Sequence, residues 1–188
     1  MVTNGNWRRS HDSMIGIQEI KLNLGSWERK IPGFQNMDID PHPGVDFVGD
    51  VSDLSKFENN SISQIYASHI LEHFPSNKTL SVLKEWHRVL TPGGILYVGV
   101  PDFERVVELY KKIGLCDWVQ NFLWGDQGYK TAFHYAGFDE KRLRELLKRA
   151  GFSEMSRVEN FPFGIKDCSM NRSNLDGKSV SLNLLAIK

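Results

Sequence analysis

Cysteine is nearly absent from this sequence: the 188 residues include two, Cys116 and Cys168, far apart and outside any C-x-x-C pair. That excludes a disulfide framework and a cysteine-built zinc site, and it agrees with a reducing compartment. Long apolar runs are also missing. The longest, such as Ile95 to Val100, are strand-sized, and no basic stretch followed by a hydrophobic segment opens the chain. Neither a membrane span nor a signal peptide is predicted, and the protein is expected to be soluble and cytoplasmic. There is no surplus of either charge, since Lys plus Arg and Asp plus Glu number 23 each. The long-range positive field that nucleic acid or an acidic membrane would need is therefore lacking, and neither is expected as a partner. Internal repeats and low-complexity segments are absent too. What is present, 40% hydrophobic and 24% charged, suffices for one core, so one domain is expected.

Residues 1–16 are polar and glycine-punctuated and read as a flexible lead-in, with the domain spanning 17–188. Alternation through Ile20, Leu22 and Leu24 predicts a first strand that stops at Gly25. A second, Phe34 to Ile39, runs into Asp38-Ile39-Asp40. Only nine residues, Gly25 to Gly33, join them, fewer than the dozen or more that a helical crossover needs. An extended return still fits, because nine residues reach about 30 Å and a five-residue strand covers about 17 Å. Asp40-Pro41-His42-Pro43-Gly44 cannot be helical and leads into a third short strand, Val45 to Val48, stopped by Gly49-Asp50. The first half of the sheet is thus predicted to be helix-poor. Asp53 to Asn60 reads as loop or a single helical turn.

A fourth strand, Ser61 to Ser68, is followed by His69-x-x-Glu72-His73. Lys78 to Leu90 has the period of an amphipathic helix through Leu80, Leu83, Trp86, Val89 and Leu90. Thr91-Pro92-Gly93-Gly94 ends it in a tight turn before the fifth strand, Ile95 to Val100, which stops at Pro101-Asp102. Phe103 to Ile113 reads as a helix with Phe103, Val106, Val107 and Tyr110 on one side. Residues 114–137 form an irregular aromatic insertion, most of whose rings are expected in core packing and the rest in a pocket wall. A helix follows over Asp139 to Ala150, through Leu143, Leu146 and Leu147 and capped by Gly151. Phe152 to Phe161 and Ser179 to Lys188, joined by the polar loop Lys166 to Lys178, are predicted to pair as an antiparallel hairpin. The expected fold is α/β: a Rossmann-like open, mostly parallel sheet of about seven strands, closed by that hairpin.

Strands ending in glycine, then acid, then acid suit a nucleoside ligand. The glycine lets backbone approach it, an acid after strand two accepts ribose hydroxyls, and a third acidic turn can read an adenine amino group. In order, KLNLG at Lys21 to Gly25, PGFQNMDID at Pro32 to Asp40, VGDVSDL at Val48 to Leu54, ASHILEHF at Ala67 to Phe74, EWHRVLTPGGILYVGVPD at Glu85 to Asp102 and LLKRAGF at Leu146 to Phe152 resemble the class I S-adenosylmethionine-dependent methyltransferases, specifically the small predicted branch related to methyltransferase type 11. The resemblance implies methyl transfer with S-adenosyl-L-methionine as cofactor. By it, Gly25 faces the methionine part, Asp38 the ribose (with Asp40 as an alternative), Asp50 and the Val51 amide the adenine, and Ser68 with His69 the sulfonium side.

Two departures accompany the resemblance: Gly25-Ser26-Trp27 replaces the family's glycine-x-glycine loop, and the first crossover helix is missing. A nicotinamide dinucleotide is the competing ligand. It needs Gly-x-Gly-x-x-Gly at a helix start to hold a pyrophosphate, and this loop has neither. Methyl transfer asks for alignment, plus a base if the nucleophile is a hydroxyl. His69, Asp102 and His134 are the catalytic candidates, while Glu72 and His73 are expected to support the turn after strand four and His87 to pack or face solvent. The acceptor is expected to be a small molecule or a sugar. A non-catalytic module of the same fold is the alternative. The spacing His69-x-x-Glu72-His73 is also that of an inverted zinc-hydrolase motif, but such a site needs a stable helix carrying both histidines and a third ligand from elsewhere, and Pro75 leaves the helix little room; no metal is expected.

Overall fold

The structure is a computed structural model and describes residues 19–165 and 179–188. The expected lead-in 1–16, Ile17 and the loop Lys166 to Lys178 lie outside them. The short alternating runs form strands β1 (Ile20–Leu24), β2 (Gln35–Asp38), β3 (Phe47–Val48) and β4 (Ile62–Ser68). A 3-10 turn over Leu71–His73 leads to helix α1 (Thr79–Val89), β5 (Leu90–Pro101), α2 (Phe103–Ile113), α3 (Asp117–Trp124), α4 (Glu140–Ala150), β6 (Glu154–Val158) and β7 (Ser181–Ile187). One sheet takes all seven strands in the order β3-β2-β1-β4-β5-β7-β6. The first five are parallel, and β7 runs antiparallel to both β5 and β6. This is the predicted architecture, including the helix-free first half.

The two faces of the sheet are covered by different means. On one, α1 and α4 bury Leu83, Trp86, Leu143 and Leu147 with the strand residues Leu22, Ile65 and Leu96, as their 3.6-residue period requires. The other has a smaller cluster in which Ile31, Tyr66 and Tyr97 are buried, with Phe34, Phe161 and Phe163 packed on them. Tyr97 meets Phe161 and Phe163 edge-on at 5.7 and 4.8 Å between centroids, a geometry that aromatic quadrupoles favour. Loop residues therefore replace the missing crossover helix. The backbone of the β1–β2 loop is held by Asn23, whose Nδ2 donates to the Arg29 carbonyl at 2.8 Å and to Asn36 Oδ1 at 2.9 Å.

Three local expectations are corrected. Thr91 to Gly94 is a bulge within β5 rather than a turn before it, because Leu90 already pairs with Ile62 and Ile95 resumes pairing at Gln64. The inward face of α2 is Arg105, Val106 and Leu109, whereas Phe103 and Tyr110 are exposed; packing against Val119 of α3 and Val180 sets that face. The insertion 114–137 is not irregular throughout, since it contains α3. Its rings divide: Trp118 and Phe122 pack on that satellite cluster, while Tyr129 and Tyr135 are exposed.

Candidate functional site

In chain order the sheet grows outward from β1 to β3, then returns to place β4 on the other side of β1. The two βα directions diverge there, and in open α/β sheets such a switch point leaves a crevice beyond the carboxyl ends of the strands. A cavity of about 370 Å³ occupies that place, within the usual range for small-molecule sites. Gly25, Asp38, Asp50, Val51 and His69 line it, as do Trp27, Asp40, Tyr129, Lys130 and Tyr135.

Gly25 has φ 62°, and an added Cβ would come within 1.8 Å of Ile70 Cδ1. Glycine is needed here both for the left-handed backbone and for the close packing of the turns after β1 and β4. The chain then curls over the end of β2. Gly25 N and Ser26 N donate to the Met37 carbonyl at 2.8 and 3.2 Å, and Trp27 N donates to Asp38 Oδ2 at 2.7 Å. Asp38 Oδ1 accepts from Asp40 N at 3.2 Å. Each carboxylate oxygen keeps a second lone-pair site, so Asp38 is oriented while retaining acceptor capacity toward the cavity. The Trp27 ring lies against His42, 4.1 Å between centroids, and is stacked with Tyr129 at 6.3 Å.

On the far wall, Asp50 Oδ1 accepts from Ser52 N at 2.8 Å. The fully buried Trp86 of α1 fixes this turn by donating Nε1–H to the Val51 carbonyl at 2.9 Å. The carboxylates of Asp38, Asp40 and Asp50 give the cavity a negative character that one cation, Lys130, offsets in part. Its effect reaches Tyr129, whose hydroxyl is pushed up by burial and then by Asp126, Asp38 and Asp40.

After β4 the chain reverses at His69, which takes φ 58°, uncommon for a residue with a side chain. His69 Nδ1 lies 3.2 Å from Glu72 Oε1, and Nε2 lies 2.6 Å from Ser181 Oγ. A carboxylate can only accept, so the proton belongs on Nδ1 and Nε2 takes the serine hydrogen. Glu72 is completely buried. Burial pushes its carboxyl up, but the His69 contact and the neighbouring His73 and His134 outweigh it and hold it below the usual carboxylate range. His134, by contrast, is pushed down by burial, toward the neutral imidazole.

The proposed catalytic residues are not brought to one place. His69 lines the cavity, together with His73. Asp102 lies in a second cleft lined also by Arg157 and Ser181, where it caps α2 by accepting from Glu104 N at 3.1 Å and pairs with Arg157 at 2.7 Å. His134 stands behind the cavity wall, its ring 4.8 Å from that of His73. Ser68 does not line the cavity either; its Oγ is near Gly99 on β5. Sequence reasoning missed Lys130 as a cavity residue and Trp86 as the anchor of the Asp50 turn, since neither carries a local signal. His87 packs edge-on against Phe152, 5.1 Å between centroids.

Residues 29–98 match the model of the methyltransferase domain. A demethylmenaquinone methyltransferase of Staphylococcus haemolyticus is 28% identical over 127 residues, covering 62% of this chain and 51% of that protein. The chain spans about half the length of the curated relatives it matches. Among solved structures, a SAM-dependent methyltransferase from Archaeoglobus fulgidus superposes with a TM-score of 0.59 at 11% identity, over 90% of this chain and 86% of that one. The 1,6-didemethyltoxoflavin-N1-methyltransferase of Burkholderia thailandensis, with bound S-adenosylhomocysteine, gives 0.55 at 16% identity, over 90% and 70%. The strand order of its sheet and these superpositions give the chain the fold of the class I methyltransferases, and residues 29–98 within it are similar to the methyltransferase domain.

Proposed function

We propose that the cavity binds S-adenosyl-L-methionine and that the protein transfers its methyl group to a small-molecule acceptor. The observation that carries this reading is the acid-lined cavity at the switch point between β1 and β4. A sulfonium cofactor brings positive charge and no phosphate; carboxylates suit it and would repel a dinucleotide's pyrophosphate. The residues fit: Asp38 accepts the ribose hydroxyls, Asp50 and the Val51 main chain flank the adenine, and Gly25 passes close to the methionine portion. Bound there, the cofactor would supply an electrophilic methyl carbon whose sulfonium leaving group becomes a neutral thioether. His69, oriented by Glu72, is the candidate proton acceptor for a hydroxyl nucleophile, through Nε2 in exchange for its Ser181 contact. Tyr129 and Tyr135 form the acceptor's side of the cavity. The relatives named for demethylmenaquinone support a small acceptor. Among the described residues no helix is long and apolar enough to cross a membrane.

Trp27 favours a second reading, in which the protein binds the cofactor without transferring the methyl, because its ring takes up room at the cavity wall. Incubation with methyl-labelled cofactor and a panel of phenols, quinols, sugars and amines separates the two. Label moving to an acceptor supports transfer, and its absence across the panel despite cofactor binding supports the binding module.

A further inference from the structure

We propose that Glu72, His73 and His134 form a binding site for one divalent transition ion of the zinc type. One potential ligand atom from each lies within 4.8 Å of the other two. Tetrahedral ligands at bonds of about 2.0–2.2 Å stand about 3.3–3.5 Å apart, so closing the site takes a shift of about 1.5 Å or less, within the range of small side-chain rotations. Both histidines are already set for coordination. His73 Nδ1 faces the Phe133 carbonyl at 3.0 Å and His134 Nδ1 the Phe122 carbonyl at 3.0 Å. A carbonyl only accepts, so each proton sits on Nδ1 and each lone pair on Nε2, the outer-shell arrangement that orients histidine ligands of metals.

Glu72 is the independent sign of a ligand. Its side chain is fully buried, and Oε2 has no hydrogen-bond partner among the described residues. An ionised carboxylate in that position is stabilised by nearby positive charge, and a dication held between it and the two imidazoles would supply it. Two nitrogens and one oxygen suit zinc-type ions better than magnesium or calcium, which prefer all-oxygen shells. The ligands differ from the pair that sequence spacing suggests. His69 faces Ser181 instead, and the third ligand arrives from 61 residues beyond His73, on a loop whose Tyr135 and Ala136 amides donate to the Glu72 carbonyl at 2.8 and 3.2 Å. Because His73 also lines the main cavity, the ion lies beside it. The site does not depend on what that cavity binds.

The test is titration of the chelator-stripped full chain with Co²⁺, read by visible absorption, followed by displacement with Zn²⁺. One Co²⁺ per chain with the intense bands of a four- or five-coordinate ion is expected. Zn²⁺ affinity should fall at least tenfold in Glu72→Gln and in His134→Gln, and stay unchanged in His42→Ala, which alters the separate Asp38, Asp40 and His42 cluster. Absence of those bands, or undiminished affinity in both first variants, overturns the proposal. If those variants lose their circular dichroism, imidazole ¹⁵N spectra of the unsubstituted chain decide. Zn²⁺-dependent shifts at His73 and His134 support the site, and their absence there refutes it.

Discussion

Asp38 and Asp102 carry the same sequence signal, an acid where an apolar strand stops, and both are buried, 7% and 5% exposed. Their surroundings make them different. A helix begins immediately after Asp102, so its carboxylate is taken up by the Glu104 amide and by Arg157. No helix follows Asp38, and its partners are the Trp27 and Asp40 amides at the rim of the cavity. The comparison teaches that a shortened connection leaves the acid at a strand end with no helix to cap. Without a helix to cap, the acid at the end of β2 keeps acceptor sites for a ligand, whereas the acid at the end of β5 is spent on structure.

Separating the two roles by substitution gives a graded set of expectations. Asp38→Ala should weaken S-adenosylhomocysteine binding by about 2 kcal/mol, roughly thirtyfold, as for loss of charged hydrogen bonds; calorimetry measures it, and a loss under threefold would remove Asp38 from the site. Asp102→Ala should cost about 1–2 kcal/mol of stability, from a lost cap and a half-exposed ion pair, with cofactor affinity unchanged. Urea denaturation paired with the same titration checks both halves. Asp50→Ala should weaken binding by about 1 kcal/mol, roughly fivefold, with the melting temperature unmoved.

The smallest effect is one of pH and concerns the structural end only. Arg157 also binds Glu140 at 2.9 Å. Its hydrogen bond, with those of Arg144, holds the Glu140 carboxyl below its ordinary 4.5. Such a group contributes stability that is full above about pH 4.5 and is lost as pH falls through the folded value. Glu140→Gln should therefore flatten the acid limb of a melting-temperature profile, by less than about 2 °C because the pair is solvated. A variant whose profile matches the parent's below pH 4.5 would contradict this.

Most of the sheet was legible because its signals are local. Leu22 and Leu24 alternate, Trp86 and Val89 recur at helical spacing, and Gly25 and Pro41 exclude helix where the connections are short. Asp38 and Asp50 were legible as residues at the sheet's crevice for the same reason, since each ends an apolar run, and both line the cavity. Asp102 looked the same from sequence, and only the helix start and Arg157, 55 residues away, distinguish it. Helix α3 was hidden because Trp118 and Phe122 read as part of an aromatic loop rather than as one face of a helix. The group formed by Glu72, His73 and His134 was invisible for a topological reason: its third member comes from a distant loop, while the local spacing pointed to His69.

Calorimetric titration of the full chain with S-adenosylhomocysteine, run in parallel on the parent, Asp38→Ala and Asp102→Ala, bears most directly on the proposed role of the cavity. One-site binding by the parent, retained by Asp102→Ala and weakened roughly thirtyfold in Asp38→Ala, is the predicted result. No binding by the parent, or equal losses in folded forms of both variants, would contradict it.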